Sequence, residues 1–230
     1  MNFLLHRRLA ARDLGGAVAG AGAMLPDLWR MADRRVRARA GVVAPPSGGA
    51  LREVLAGIEH HLEADAWFHR AAVFVEGERR LAEGFRRAGV TAPRMGLFAH
   101  IAWELCLDGA LVRHDGVDAT LAALRPGLTA SATPGERAAD LHHFDEAARS
   151  PVERDAFRAR MAGITERLVA GAWVAAYAEE DGVAEVLGAI RRRLGLPGLD
   201  ADDRARTASA LRALRDTADT AVAELLARAG

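Results

Sequence analysis

The sequence predicts an all-α protein, a single-domain multi-helix bundle, from three observations. Alanine, leucine and arginine dominate while aromatic and β-branched residues are sparse, a mixture that favours helix over strand. Apolar residues recur at helical spacing, most clearly Leu51, Val54, Leu55, Ile58 and Leu62. Recognisable stops, such as Gly89, His114-Asp115-Gly116 and Gly195-Leu196-Pro197-Gly198, cut the chain into helix-sized pieces. At 230 residues, with no internal repeat or low-complexity linker, the chain reads as one domain spanning residues 1–230. A core of that size buries roughly 70–75% of the unfolded surface and needs no disulfide.

Taken in order, Asn2 to Arg12 forms a short helix with Phe3, Leu4, Leu5 and Leu9 as its apolar contacts. A second helix runs from Asp13 to about Met24, its glycines allowing close packing. Pro26 ends or kinks it, because the residue before a proline avoids the helical region. Asp27 then opens a short helical turn through Arg30. Ala44-Pro45-Pro46-Ser47-Gly48-Gly49 is the clearest loop. From Leu51 a helix carries His61, Asp65 and His69 near its apolar stripe, and another covers Ala71 to Ala88. Thr91 is the expected N-cap, with Pro93 in the first turn, of a helix from Arg94 to about Arg113. Leu97, Ile101, Leu105 and Leu111 mark its buried side. Ser150-Pro151-Val152-Glu153 has the order of a capping box with proline at the first helical position. Helix follows to Ala178, then from Val183 to Leu194, then from Asp202 to Ala229.

Composition narrows the function classes. A formal net charge of zero gives no reason to expect a nucleic-acid partner. Arginines do cluster locally, at Arg34, Arg35, Arg37 and Arg39, at Arg79, Arg80, Arg86 and Arg87, and at Arg191 to Arg193. Such runs read as solvated helix faces or as a docking surface for an acidic or phosphate-bearing partner. Cys106 is the single cysteine, so no disulfide framework exists, and its apolar neighbours place it in the core. No apolar run is read as approaching the ~20 residues that span a bilayer. Asp13 interrupts the Ala/Gly-rich run after His6-Arg7-Arg8, which argues against a signal peptide, and a cytoplasmic location is the expectation.

Six ionisable residues carry the functional signal. His61, Asp65 and His69, then His100, Glu104 and Asp108, stand at intervals of four, so each trio lies on one helix face. Both faces border apolar stripes, where an ionisable group needs a charge partner or a metal. Histidine and carboxylate at i and i+4 supply two rigidly held ligands from one helix, as divalent-ion sites require. A surface ion pair is the alternative for either trio. Asp27 suits the first turn of a helix, and His6 sits in an apolar segment. His60 is rotated about 100° from His61 and faces solvent or supports the ligands. His142-His143, in a polar stretch, reads as surface. There is no HExxH, Walker-type loop or GxSxG, and no paired Glu-x-x-His of the ferritin-like type.

At these residues the chain resembles bacterial acyl carrier protein phosphodiesterases. The likeness lies in Met1-Asn2-Phe3-Leu4-Leu5-His6-Arg7-Arg8-Leu9-Ala10, in Leu25-Pro26-Asp27-Leu28 and in Gly57-Ile58-x-x-His61-x-x-x-Asp65. His100-x-x-Trp103-Glu104 is similar to an aspartate-x-x-Trp-aspartate motif of that family, and Trp173-x-x-x-Tyr177 with the stretch to Arg193 to its C-terminal helices. Ala40–Ala50 and His114–Ser150 are the least covered. The resemblance implies hydrolysis of a phosphodiester with a divalent ion, releasing 4′-phosphopantetheine from a serine of holo acyl carrier protein. It points to Asp27, His61 and Asp65 as functional residues, with His6 beside them. His69 and His100 stand where the family tends to have aspartates, and Glu104 replaces another. Extra nitrogen donors favour zinc or another transition ion over magnesium. His100-x-x-x-Glu104 with the Leu-Pro-Asp segment is also similar to zinc-dependent phospholipase C proteins.

The expectation is therefore a metal-dependent phosphodiester hydrolase acting on acyl carrier protein. His6, Asp27, His61, Asp65, His100 and Glu104 would be ligands to one or two ions, Mn²⁺ or Zn²⁺, with Asp27 and His69 in catalytic roles. The alternatives are a phosphoesterase with a lipid or nucleotide substrate, a non-catalytic helical scaffold, and a metal-binding sensor.

Overall fold

Glycines at Gly89, Gly116, Gly171 and Gly195 mark helix ends in this chain, whereas others lie inside helices. The computed structural model describes residues 2–43, 49–144 and 151–228. Among these are twelve α-helices, one π-helical turn and no strand, so the fold is all-α. Read as one domain, the chain divides into two compact units: Phe3–Trp67 with Asp118–Gly171, and Met1–Asn2 with Phe68–Val117 and Ala172–Gly230.

The first unit is built on α2 (Ala17–Ala32), against which α1 (Phe3–Asp13), α7 (Ala132–Ala139) and α8 (Pro151–Ala170) pack. Phe3, Leu4, Leu5 and Leu9 of α1 are buried, each side chain stabilising the fold by about 1.5–3 kcal/mol. Gly15 and Gly16, at φ 70° and 144°, make the turn between α1 and α2, so α2 begins later than Asp13. Pro26 does not end α2, one of the two outcomes read for it, and Asp27 does not open a new helix. Leu25, Leu28 and Trp29 around it are all buried, and that packing outweighs the one backbone hydrogen bond a proline removes. α6 (Val117–Ala130), which the sequence reading did not delimit, approaches α2 where a Cβ on Gly127 would lie 2.3 Å from the Ala17 carbonyl oxygen.

α3 (Gly49–Phe68) carries the first histidine–aspartate pair, and all but its last residue belongs to this unit. α2 and α3 touch backbone to backbone. A Cβ on Gly22 would lie 2.4 Å from the Val54 carbonyl oxygen, and one on Gly57 2.1 Å from that of Ala19. No side chain larger than hydrogen fits at either contact. The expected loop, apart from Gly49, and Ser150 of the expected capping box lie outside the described residues.

In the second unit α5 (Met95–Asp115) is the axis, packed by α4 (Ala72–Arg87), α9 (Ala172–Ala178), α10 (Glu180–Arg193) and α12 (Arg215–Arg228). α11 (Ala201–Arg212) packs on α10 and α4. α5 is apolar on nearly every side, as a central helix must be, with Trp103, Leu105 and Leu107 fully buried. The one-sided stripe read from the sequence is corrected here, and Leu97, expected inside, is half-exposed. By length and composition α5 could also cross a membrane, which the sequence reading missed because Glu104 and Asp108 break the apolar run. With 72% of that stretch buried in protein, it is a core helix of this unit.

Three further boundaries differ. Arg94, in the left-handed region at φ 56°, precedes α5, and Thr91 instead offers its carbonyl to Arg191. Gly171, at φ 87°, separates α8 from α9. The last predicted helix is two, broken after Arg212, and Asp200 rather than Asp202 starts it by accepting the Asp203 N–H at 2.7 Å. Cys106 is buried as expected, and burial pushes its thiol up to about 12.

Gly57→Ala is expected to destabilise the protein by about 1–3 kcal/mol in urea unfolding, since backbone rather than a movable side chain meets the new methyl. A change below about 0.5 kcal/mol would show that α2 and α3 separate freely.

Candidate metal centres

The two trios predicted from spacing do not survive intact. α3 ends at Phe68, and His69-Arg70 form a turn, so His69 leaves the face that holds His61 and Asp65. The ligand-type side chains regroup instead into two sets, one in each unit: His6, His61 and Asp65; and His69, His100 and Glu104. Within each set one donor atom per residue lies within 4.8 Å of the others.

In the first unit, His61 is fixed by both of its ring nitrogens. Its Nδ1–H donates to the Ala23 carbonyl oxygen at 2.8 Å, which assigns the neutral ring as the tautomer with a lone pair on Nε2. That Nε2 is 3.5 Å from Asp65 Oδ2, while His6 Nε2 is 3.2 Å from Oδ1 of the same carboxylate. The imidazoles of His6 and His61 stack with centroids 4.0 Å apart. Two donors bound to one ion at 2.0–2.2 Å are themselves about 3–3.5 Å apart, and each histidine stands at that distance from one oxygen of Asp65. Both histidines are buried, whereas Asp65 is 40% exposed and leaves the set open on one side.

The electrostatics divide the two rings. Burial, reinforced by His61, pushes His6 down to about 4 against the pull of Asp65 and Asp27. Burial also opposes a charge on His61, but Asp65, Asp27 and the Ala23 carbonyl outweigh it and hold its pKa above the ordinary histidine value. Asp27, on α2, is half-buried. Burial opposes its ionisation as well, yet positive charge around it, His61 and His6 included, keeps it below the ordinary carboxylate value. Asp27 is thus an anion beside the set rather than one of its three convergent donors.

The second unit repeats the device with different parts. His100 Nδ1–H donates to Glu78 Oε2 at 3.2 Å, leaving Nε2 3.6 Å from Glu104 Oε1. His69 Nε2 approaches the same oxygen at 3.9 Å. Phe74 stands against both rings, with centroids 4.8 Å from His69 and 5.5 Å from His100. Phe68 adds a second wall to His69 at 5.1 Å. Glu104 is buried, and the two imidazoles are about 30% exposed. Expected as a general acid or base, His69 is here one of three donors. Asp108, also buried, lies outside the set. Glu78 and the Ala23 carbonyl were missed by sequence reasoning, since neither stands at a ligand spacing.

Other candidates fall elsewhere. His60 pairs with Asp13 at 2.9 Å and takes no part in the first set. His142, read as surface, is buried in a π-helical turn (Asp140–Phe144), where its Nδ1 accepts the Arg39 backbone N–H at 3.0 Å and its ring lies 5.5 Å from Trp29. The arginine runs are partly neutralised within the fold. Arg79 and Arg80 pair with Glu76, Arg35 with Asp33, and Arg191 holds the carbonyls of Pro197 and Thr91. No protein-family model, curated protein or solved structure matches the chain.

Burial, with Arg39 nearby, pushes His142 down to about 4, so as pH falls the unfolded chain protonates there first, near the ordinary 6.5. The stability conferred by its neutral burial is complete above that value and is lost as pH falls toward 4. His142→Gln is expected to flatten the pH dependence of urea unfolding between pH 6.5 and 4.5. Identical slopes in variant and wild type would contradict this.

Proposed function

We propose that the protein is a metal-dependent phosphodiester hydrolase whose ion is held by His6, His61 and Asp65, with Asp27 beside it. The observation that carries this reading is the pinned His61 ring, its Nε2 turned toward a carboxylate that a second buried imidazole shares. A histidine ligand needs its other nitrogen occupied by an acceptor, and the Ala23 carbonyl does that. Two imidazoles and one carboxylate suit Zn²⁺ or Mn²⁺ and leave coordination positions for water and substrate. The chemistry such an ion supplies when bound is Lewis acidity, which acidifies water at neutral pH and draws charge from a phosphoryl oxygen.

The chain's own residues do the rest. Asp65 is the open edge of the set, where a phosphodiester would enter. Asp27, ionised and close by, adds negative charge that favours cation capture. Water adds across one P–O bond, one ester oxygen leaves with a proton, and the other stays on phosphorus. The substrate rests on the resemblance in Met1–Ala10, Leu25–Leu28 and Gly57–Asp65. It is holo acyl carrier protein, cleaved to the serine hydroxyl and 4′-phosphopantetheine, which places the reaction in the cytoplasm. Lipid and nucleotide phosphodiesters are the competing substrates.

Asp65→Ala is expected to lower Mn²⁺- or Zn²⁺-dependent hydrolysis by more than about a hundredfold, beyond the loss an orienting partner produces. His60→Ala should retain activity, because that ring pairs with Asp13 outside the set. The assay uses holo acyl carrier protein beside lipid and nucleotide phosphodiesters. Equal turnover by Asp65→Ala and wild type, or no turnover of any of them by the metal-loaded wild type, overturns the reading.

A further inference from the structure

The donors of the second unit carry an argument of their own. His69, His100 and Glu104 come from a turn and from two successive turns of α5, yet one donor atom of each meets within 4.8 Å. The histidine-to-Glu104 separations of 3.6 and 3.9 Å are too long for good hydrogen bonds. They are close to the spacing of donors around one ion, which binding would tighten by a few tenths of an ångström. Glu78 supplies what a bare ion-pair cluster does not require. It accepts the far Nδ1–H of His100 at 3.2 Å, so the ring's remaining lone pair faces Glu104. This carboxylate–histidine relay is the arrangement that orients a metal ligand and raises its basicity. Phe68 and Phe74 hold the edges and faces of the rings, limiting the rotamers the two imidazoles can reach.

We propose that His69, His100 and Glu104 form a second transition-ion site, complete within this unit, with Glu78 as its positioning residue. It does not depend on the phosphodiesterase reading, which uses the other set. Two imidazoles among three donors select zinc-like first-row ions over magnesium and calcium, whose preference is for oxygen. Three protein ligands leave at least one position open to water or a small anion. The protein therefore holds two ions per chain.

The test is Co²⁺ titration of the full-length, chelator-stripped chain, read by visible absorbance and by metal content. The expected result is two ions in the wild type, one in His100→Ala, one in Glu104→Gln and one in Asp65→Asn. Millimolar Mg²⁺ should displace neither. Glu78→Gln, a near-isosteric change away from the ligands, keeps both ions but weakens one by about ten- to a hundredfold. Circular dichroism confirms that each variant is folded. If His100→Ala and Glu104→Gln hold as many ions as the wild type, the second site is refuted while the first stands. If the wild type holds a single ion, and Asp65→Asn and His100→Ala each abolish it, independent sites are refuted. Wild type that binds no Co²⁺ overturns this proposal and the hydrolase reading together, whereas two bound ions without hydrolysis sinks only the latter.

Discussion

The backbone contact between α2 and α3 is the constraint on which the first candidate metal set depends. Gly22 and Gly57 let the two helices approach until main chain meets main chain, a distance no methyl group tolerates. Gly22 immediately precedes Ala23, whose carbonyl accepts from His61, and Gly57 lies one turn before His61 on α3. The same closeness that packs the helices therefore delivers the acceptor to the imidazole. A wider spacing would leave His61 Nδ1 without that carbonyl and free the ring to turn. Packing and ligand orientation are one interaction here.

Proline at position 26 belongs to the same account. It sits inside α2 between buried residues, and continuation of the helix through it keeps Asp27, Leu28 and Trp29 on a single rigid element. A carboxylate on a rigid element beside two imidazoles influences their protonation without spanning to them. That influence is visible in the opposite directions taken by His6 and His61, which compete for a single environment of burial and negative charge. Neighbouring rings 4.0 Å apart do not both carry a proton readily; burial outweighs the carboxylates at His6 but not at His61, where the Ala23 carbonyl adds to them.

The two sets share a plan but differ in materials. One uses a backbone carbonyl to hold the key histidine, the other the carboxylate of Glu78. A carbonyl is fixed by helix geometry and contributes a dipole. A carboxylate adds full negative charge and makes the ring a stronger donor. The sets are therefore expected to differ in affinity even though each offers two nitrogens and one carboxylate.

The sequence by itself determined that this chain is helical, from composition, periodicity and stop signals, and that His61 pairs with Asp65 and His100 with Glu104, because i and i+4 meet on any α-helix. It also placed Cys106 in the core and ended a helix at Gly116. The tertiary structure decided the third member of each set. His6 comes from a helix more than fifty residues away in sequence, and no local spacing encodes that meeting. His69 changed partners because its helix stops one residue earlier, and a turn re-aims a side chain that an ideal helix would have kept in line. Pro26 and His142 went against local preference for one shared reason: burial against neighbouring helices contributes more free energy than the propensity of a single residue.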